Sequence, residues 1–195
     1  MPVKPVLSNE TKIELREKLK TLCEAFWVEK GYKKTSIKSL CDSAGVSIGT
    51  FYNMYPTKED LFLETILHIQ EKQMEAFFKR CHGTPTKEGF IAAIKWLFQK
   101  YNEHPLLFEY TADFQALVIK LPVDTIEKIK MDSLSFFAES IEITKLRLKV
   151  DEQIAYGVFS ALLSTIHARD SLSLICDYTA LFDFMIESMV EKIFE

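Results

Sequence analysis

Apolar side chains recur every three or four residues along almost the whole chain, the spacing that places them on one face of an α-helix. Few residues interrupt this pattern, because the 195 residues include only 6 Gly and 6 Pro. No segment shows a convincing strand pattern, repeat or low-complexity composition. With 48% hydrophobic residues, the chain can bury a substantial core. We therefore predict an all-α protein.

Gly, Pro and capping residues divide this pattern into about nine helices. Gly31 is expected to end the first helix, and Gly45 to occupy a left-handed turn position. Thr57 and Asp60 resemble a capping box at the start of a long fourth helix. The approximate predicted ranges are 9–30, 36–44, 47–54, 57–80, 84–102, 104–119, 121–143, 151–169 and 173–194.

Charge is distributed unevenly along the chain. The formal net charge is -4, yet residues 30–58 contain five lysines and a single acidic residue, Asp42. A basic segment on an acidic body indicates a surface that faces phosphate groups. An ordinary solvated face would have the same composition, so charge alone leaves both interpretations open.

Several protein classes lack their usual sequence features here. The four cysteines have no CxxC spacing, which argues against a disulfide framework or a zinc site. The four histidines show no HExxH or HxH spacing, and we find no catalytic motif. We therefore predict no enzyme, no catalytic residue, no metal and no cofactor. No signal-peptide pattern or sufficiently long apolar run is present, so we expect a cytoplasmic protein without a membrane partner.

The segment IKSLCDSAGVSIGTFYNMYPTKEDLF, residues 37–62, is the most informative part of the sequence. Two short helices joined by an Ala-Gly-Val turn match a helix-turn-helix, whose second helix enters the DNA major groove. The segment resembles the N-terminal domain of TetR-family transcriptional regulators, with the pattern V-S-x-G-T-x-Y intact. Cys41, Met54 and Tyr55 depart from the residues usual in that family. Cys41 is small enough to preserve the contact between the helices.

This resemblance implies a DNA-binding domain at residues 1–56 and an effector-binding and dimerisation domain at 57–195. Gly49 would let the third helix approach DNA closely, and Phe51 and Tyr55 would pack inside the small domain. Base edges or sugars would be contacted by Ser47, Ile48, Thr50 and Asn53. Phosphates would be held by Thr35, Ser36, Tyr52 and Lys58.

One short recognition helix makes too few contacts for specific binding, so we expect a homodimer on a double-stranded, palindromic operator. Residues 154–166 are apolar on two faces, which requires two packing partners. TetR relatives commonly dimerise through their last two long helices, and a purely intramolecular core is the alternative. The predicted interface residues are Tyr156, Phe159, Leu163, Ile166, Phe182, Met185 and Met189.

The resemblance also implies an effector pocket beside the fourth helix, for a small apolar or aromatic compound that releases a repressor from DNA. Its candidate residues are Phe77, Trp96, Tyr101, Phe108, Phe114, Gln115, Phe137 and His167. The same residues also fit an ordinary core. Control by a protein partner, or by a redox signal at Cys81, is the alternative within the regulator class. A helical enzyme, with Cys81 and His82 as a metal or thiolate pair, is the alternative outside it. The sequence leaves open whether the regulator represses or activates.

Overall fold

A computed structural model describes the backbone of residues 8–103 and 112–195, and their side chains except at 101–103, 112–114, 126–134 and 167. Within these ranges the chain forms ten α-helices and a 3₁₀ segment, Thr165–Ala168. The predicted all-α class is confirmed. The helices are α1 (Asn9–Lys34), α2 (Ile37–Ala44), α3 (Ile48–Tyr52), α4 (Lys58–Gly83), α5 (Lys87–Glu103), α6 (Ala112–Val118), α7 (Val123–Thr144), α8 (Glu152–Ser164), α9 (Arg169–Leu172) and α10 (Tyr178–Ile193).

Several helix boundaries differ from the prediction. The last helix, for example, begins at Tyr178 instead of at residue 173. The regular part of α1 is interrupted at Gly31, where φ is 81° and ψ is 167°, and one further turn follows to Lys34. Only glycine adopts such a backbone conformation without strain, so Gly31 bends the helix instead of ending it. The predicted helix at 151–169 divides into α8, the 3₁₀ segment and the start of α9. No helix of the described chain has the length and hydropathy required to cross a bilayer.

The described chain divides into two compact units. The first contains residues 8–69 and 112–121, and the second contains residues 70–103 and 122–195. Helix α4 begins in the first unit, where it buries Leu61, Phe62 and Ile66. These apolar side chains pack the first half of α4 within the first unit. The predicted domain boundary at residue 57 stays a prediction.

Aromatic rings and an ion pair hold the first unit together. The Phe62 ring lies 4.8 Å from that of Trp27 and 5.0 Å from that of Tyr32, between ring centroids. Such tilted and edge-on pairs add to the stabilisation from burial. Nearby, the Arg16 guanidinium donates to the Glu64 carboxylate and so joins α1 to α4. Helix α6 packs against α1.

The core of the second unit is rich in phenylalanine. Phe98 of α5 and Phe182 of α10 are stacked with ring centroids 3.7 Å apart. Near the C-terminus, Phe194 forms an isolated antiparallel bridge with Leu148 and is fully buried. Both α8 and α5 pack against α10. The second unit therefore has a hydrophobic core of its own.

Candidate DNA-binding surface

Helix α2 and the turn after it have well-defined ends. Ser36 caps α2, accepting a hydrogen bond from the Ser39 backbone at 3.1 Å while the Ser39 hydroxyl accepts one from the Ser36 backbone. This is a capping box. Gly45 follows α2 in the left-handed conformation, with φ 72°, as the sequence predicts. The Val46 amide donates to the Cys41 carbonyl at 3.0 Å, which closes the turn that leads into α3.

Helix α3 begins at its own capping residue. The Ser47 hydroxyl accepts from the Thr50 amide at 3.0 Å and lies 2.9 Å from the Thr50 hydroxyl. Both side chains therefore help to hold the first turn of α3. Tyr52 is 52% exposed and Ile48 is 47% exposed, and Gly49 and Asn53 are exposed as well. Four of the predicted DNA-contacting residues thus share the solvent side of α3 and its end.

The opposite side of α3 is anchored in the first unit. Phe51, Met54 and Tyr55 are buried, which confirms the prediction that Phe51 and Tyr55 pack inside the domain. The Arg16 guanidinium lies over the Tyr55 ring, 4.7 Å from its centroid, and Arg16 also donates to the Met54 carbonyl. Burial raises the pKa of the Tyr55 hydroxyl, so it stays protonated at neutral pH. A helix of five residues is therefore fixed by its surroundings.

Thr35 is not brought to this surface. Its side chain is buried, and its hydroxyl donates to the Gly31 carbonyl at 2.9 Å. The Thr35 amide donates to the same Gly31 carbonyl at 3.2 Å, so Thr35 closes the short turn that follows the bend. The neighbouring Ser36 is exposed at the surface, where its backbone and hydroxyl form the cap of α2.

The structure places Lys58 at the junction between α1 and α4. Its ammonium donates to the Tyr32 carbonyl at 2.6 Å and to the Thr35 carbonyl at 2.8 Å. It also lies over the Tyr32 ring, 4.0 Å from the centroid. A cation is favourable at the C-terminal end of a helix, where carbonyl groups are left unpaired. The predicted capping box of α4 is confirmed just before Lys58, because Thr57 and Asp60 bond reciprocally at 2.8 and 3.1 Å.

A cluster of Tyr32, Glu59 and Lys120 adjoins this junction, and no pattern in the sequence predicted it. The Lys120 ammonium donates to the Tyr32 hydroxyl at 2.9 Å and to the Glu59 carboxylate at 3.0 Å, and Tyr32 donates to Glu59. Desolvation acts to raise the pKa of Glu59, but the hydrogen bonds from Tyr32 and Lys120 outweigh it and lower that pKa to about 2. Lys120 follows α6, far from the other two residues in the sequence.

The candidate effector residues are dispersed. Phe77 and Phe137 are buried in the core of the second unit, whereas Gln115 is exposed on α6 in the first unit. The Arg80 guanidinium covers the Trp96 ring at 3.8 Å from its centroid. Phe108 and the side chains of Tyr101, Phe114 and His167 lie outside the described residues. The effector pocket stays a prediction.

The predicted dimer residues lie mostly on the inner side of their helices. Phe159, Ile166, Phe182 and Met189 are buried in the core of the second unit. Tyr156, Leu163 and Met185 are partly buried against the same core. The other sides of these helices are open: Ile154 is 59%, Val158 42% and Phe184 71% exposed. The predicted residues therefore contribute to packing within one chain, and the exposed apolar side chains were not among them. The dimer interface stays a prediction.

The residues considered for metal or redox chemistry are not brought together. Among the described residues, no three His, Cys, Asp or Glu side chains are placed to hold a metal ion. Cys81 is fully buried, and burial raises the pKa of its thiol to about 11. At neutral pH it is a protonated thiol, the less reactive form.

A protein-family model matches the segment of the chain that forms this surface. The model of the bacterial regulatory proteins of the tetR family matches residues 24–65, which contain α2, α3 and the start of α4. Residues 24–65 form a TetR-family domain. The structure and the family model therefore agree on the segment that the sequence resemblance identified.

The curated relatives that this chain resembles are named as HTH-type transcriptional regulators. It is 25% identical over 139 residues to the uncharacterized HTH-type transcriptional regulator YuxN of Bacillus subtilis, covering 65% of this chain and 45% of YuxN. It is 25% identical over 99 residues to the HTH-type transcriptional regulator UidR of Escherichia coli K12, covering 50% of each. The chain therefore spans about half the length of the curated relatives it matches.

A solved structure extends the likeness to the rest of the fold. The transcriptional regulator FadR of Bacillus subtilis, determined in complex with stearoyl-CoA, aligns over 89% of this chain and 97% of its own. The TM-score is 0.61 and the sequence identity is 16%. At this identity the comparison shows a shared fold, and the bound ligand is a property of that FadR.

Proposed function

We propose that this protein is a ligand-responsive transcriptional regulator that inserts α3 into the major groove of DNA. The proposal rests on the observation that one side of α3 is exposed to solvent and the other side is buried. Ile48, Gly49, Tyr52 and Asn53 face solvent while Phe51 is fully buried. An exposed recognition helix on a rigid support is the arrangement by which helix-turn-helix domains read base edges. Such a regulator works in the cytoplasm, where the DNA is.

The exposed residues of α3 divide by chemistry. The Asn53 amide can pair with adenine through two hydrogen bonds, and Ile48 can contact a thymine methyl group. Gly49 allows the backbone to approach the groove, and the Tyr52 hydroxyl can donate to a phosphate. Ser47 and Thr50 already bond to each other and to the first turn of α3. In this proposal Ser47 and Thr50 mainly stabilise the first turn of α3.

A second copy of the chain completes the proposed regulator. Exposed apolar side chains on α8 and α10 include Ile154, Val158 and Phe184, and Gly157 and Ala161 on α8 permit close approach. These residues form a surface that a second copy would cover in a four-helix arrangement. The two copies of α3 would then have to lie about 34 Å apart, one turn of DNA. This surface takes the place of the inward-facing residues that the sequence favoured.

The effector is proposed to act through the second unit. Its interior is largely aromatic, with Phe77, Phe90, Phe98, Phe137 and Phe159 all buried, which suits an apolar or aromatic compound. A coupling free energy of about 1 to 3 kcal/mol between effector and operator sites is sufficient for release from DNA. The buried, protonated thiol of Cys81 gives no support to the redox alternative.

The proposal is tested by selecting duplexes from random DNA with the purified protein and measuring their binding by fluorescence anisotropy. We expect an enriched palindrome and a loss of affinity of roughly tenfold or more in Asn53→Ala. Gly49→Ala should stabilise the protein by up to about 1 kcal/mol while weakening DNA binding, because the methyl group holds the backbone away from the groove.

Gly83→Ala is the matched control for Gly49→Ala, because Gly83 is also helical but lies in the second unit with no atom within 4 Å of an added β-carbon. It should leave the affinity unchanged. Failure to enrich any duplex, or full affinity in both Gly49→Ala and Asn53→Ala, would contradict the assignment of α3.

A further inference from the structure

Tyr32 connects α1 to the start of α4 and to the segment after α6 through its carbonyl, its ring and its hydroxyl. Its carbonyl and its ring both hold the ammonium of Lys58, at 2.6 Å and 4.0 Å respectively. Its hydroxyl donates to Glu59 and accepts from Lys120 at 2.9 Å. Lys58 and Glu59 lie in the first turn of α4, and Lys120 follows α6. Tyr32 itself belongs to the last turn of α1, after the bend at Gly31.

That last turn of α1 leads directly into the candidate DNA-binding surface. Lys58 also binds the Thr35 carbonyl, one residue before Ser36, which caps α2. Direct hydrogen bonds therefore form a path from Lys120 to the start of α2. Lys120 bonds Tyr32 and Glu59, and Lys58 bonds the carbonyls of Tyr32 and Thr35. A shift of the Tyr32 side chain would therefore disturb its contacts with Lys120 and Glu59 at one end of this path and with Lys58 at the other.

We infer that Lys120 is a positioning residue for operator binding, which fixes the α1–α2 junction through Tyr32 and Glu59. This role rests on the proposed function. Without the ammonium, the Glu59 carboxylate and the Tyr32 hydroxyl lose their shared cationic partner. The last turn of α1 then keeps only the Tyr32–Glu59 hydrogen bond and the contacts of Lys58 from this group of four residues. The start of α2, and with it the placement of α3, then becomes less well defined.

The geometry favours positioning over direct contact with DNA. The Lys120 ammonium already has two acceptors within 3.0 Å, both from the protein. Tyr32 is buried and Glu59 is partly buried, so the group that Lys120 bonds is not a freely solvated pair. Exposed ion pairs contribute little to stability, but members of a shared hydrogen-bond network constrain one another's position.

The test uses a duplex selected from random DNA by the wild-type protein, and measures the affinity of variants over a series of salt concentrations. We expect Lys120→Met to weaken binding roughly five- to tenfold, with Lys120→Arg close to wild type. The dependence of log affinity on log salt should not change, because no phosphate contact is lost. Lys72→Met, an exposed lysine of α4 in the second unit, controls for the change in net charge.

Two further variants test the path itself. Tyr32→Phe keeps the ring but removes the hydroxyl, so Lys120→Met should weaken binding much less in that background than in wild type. Glu59→Gln should give a loss of the same size as Lys120→Met, which provides a second measurement if Lys120→Met folds poorly.

Each outcome decides the question. Wild-type affinity in Lys120→Met overturns the positioning role, and so does a salt slope that falls by about 0.9, because that identifies Lys120 as a direct phosphate contact. Fully additive losses in the Tyr32→Phe double variant also overturn it. If the wild-type protein selects no duplex, the proposed function fails and the positioning role falls with it. If it selects one and only the Lys120 predictions fail, the proposed function stands.

Discussion

Gly89, near the start of α5, lies where a β-carbon has no room. An added β-carbon would come within 1.8 Å of the Thr84 carbonyl oxygen, a backbone atom that cannot move aside cheaply. The Gly89 amide also bonds the Thr86 hydroxyl at 3.2 Å, so the turn before α5 is built against this residue.

We predict that Gly89→Ala destabilises the protein by about 1 to 3 kcal/mol, the usual range for overpacking. Gly83→Ala is the matched variant and should instead stabilise by about 0.4 to 1 kcal/mol, because no atom lies within 4 Å of its added β-carbon. Thermal unfolding followed by circular dichroism measures both. Equal melting temperatures for the two variants would show that the turn before α5 relaxes freely.

The cysteines differ in accessibility, and this has a chemical consequence. Cys23, Cys41 and Cys81 are buried, whereas Cys176 is exposed. Burial raises the pKa of Cys23 to about 12 and that of Cys81 to about 11, which leaves almost no thiolate at neutral pH.

We expect a maleimide to modify Cys176 rapidly in the native protein, and the other three cysteines only after unfolding. Mass spectrometry of native and urea-treated samples counts the additions, and a Cys176→Ser variant is the control. Rapid native modification at Cys81 would revive the redox alternative for regulation.

At the scale of elements, Glu59 in the first turn of α4 accepts a hydrogen bond from Tyr32 of α1. The contribution of the ionised Glu59 carboxylate to the stability of the protein depends on pH. The folded-state pKa of Glu59 is lowered from 4.5 to about 2 by its hydrogen bonds. A lowered carboxyl pKa means that the stabilisation is fully present above the unfolded-state value and disappears as the pH falls through the folded-state value. The relevant window therefore extends from about pH 4.5 down to about pH 2.

We predict that wild-type protein is more stable than Glu59→Gln at neutral pH, and that this difference shrinks toward zero across that window. Melting temperatures measured over a pH series check the prediction. Glu75→Gln, an exposed carboxylate of the same helix, controls for the loss of a negative charge. A constant difference between wild type and Glu59→Gln down to about pH 2 would be evidence against the cluster in solution.

At the scale of the whole molecule, the exposed apolar side chains of α8 and α10 form the proposed contact surface between two copies of the chain. Large exposed apolar patches are unusual on a monomer and mark interaction surfaces. The proposed partner is a second copy of the chain, which would cover Ile154, Val158 and Phe184.

We predict that Val158→Glu converts the dimer to a monomer and weakens operator binding by at least roughly tenfold, because each half-site is then bound separately. Light scattering measures the mass in solution. Ile13→Glu places the same type of charge at an exposed apolar position of α1 and should leave the mass unchanged. A Val158→Glu variant that remains dimeric would place the interface elsewhere.

The sequence was sufficient for the features whose causes are local. The left-handed turn at Gly45, the Thr57–Asp60 capping box and the buried side of α3 each follow from residues close together in the chain. Hydrogen bonds over three or four residues, and one apolar face on a short helix, specify these features without reference to distant segments.

The tertiary structure alone decided the features that depend on residues distant in the sequence. Helix α8 is apolar on two sides, and only the packing of α5 and α10 determines that Phe159 faces inward and Val158 outward. The same reason applies to Lys58, whose ammonium pairs with the carbonyls of Tyr32 and Thr35, 26 and 23 residues earlier in the chain. Lys120 joins Tyr32 and Glu59 only because α6 packs on α1, a contact that no local pattern encodes.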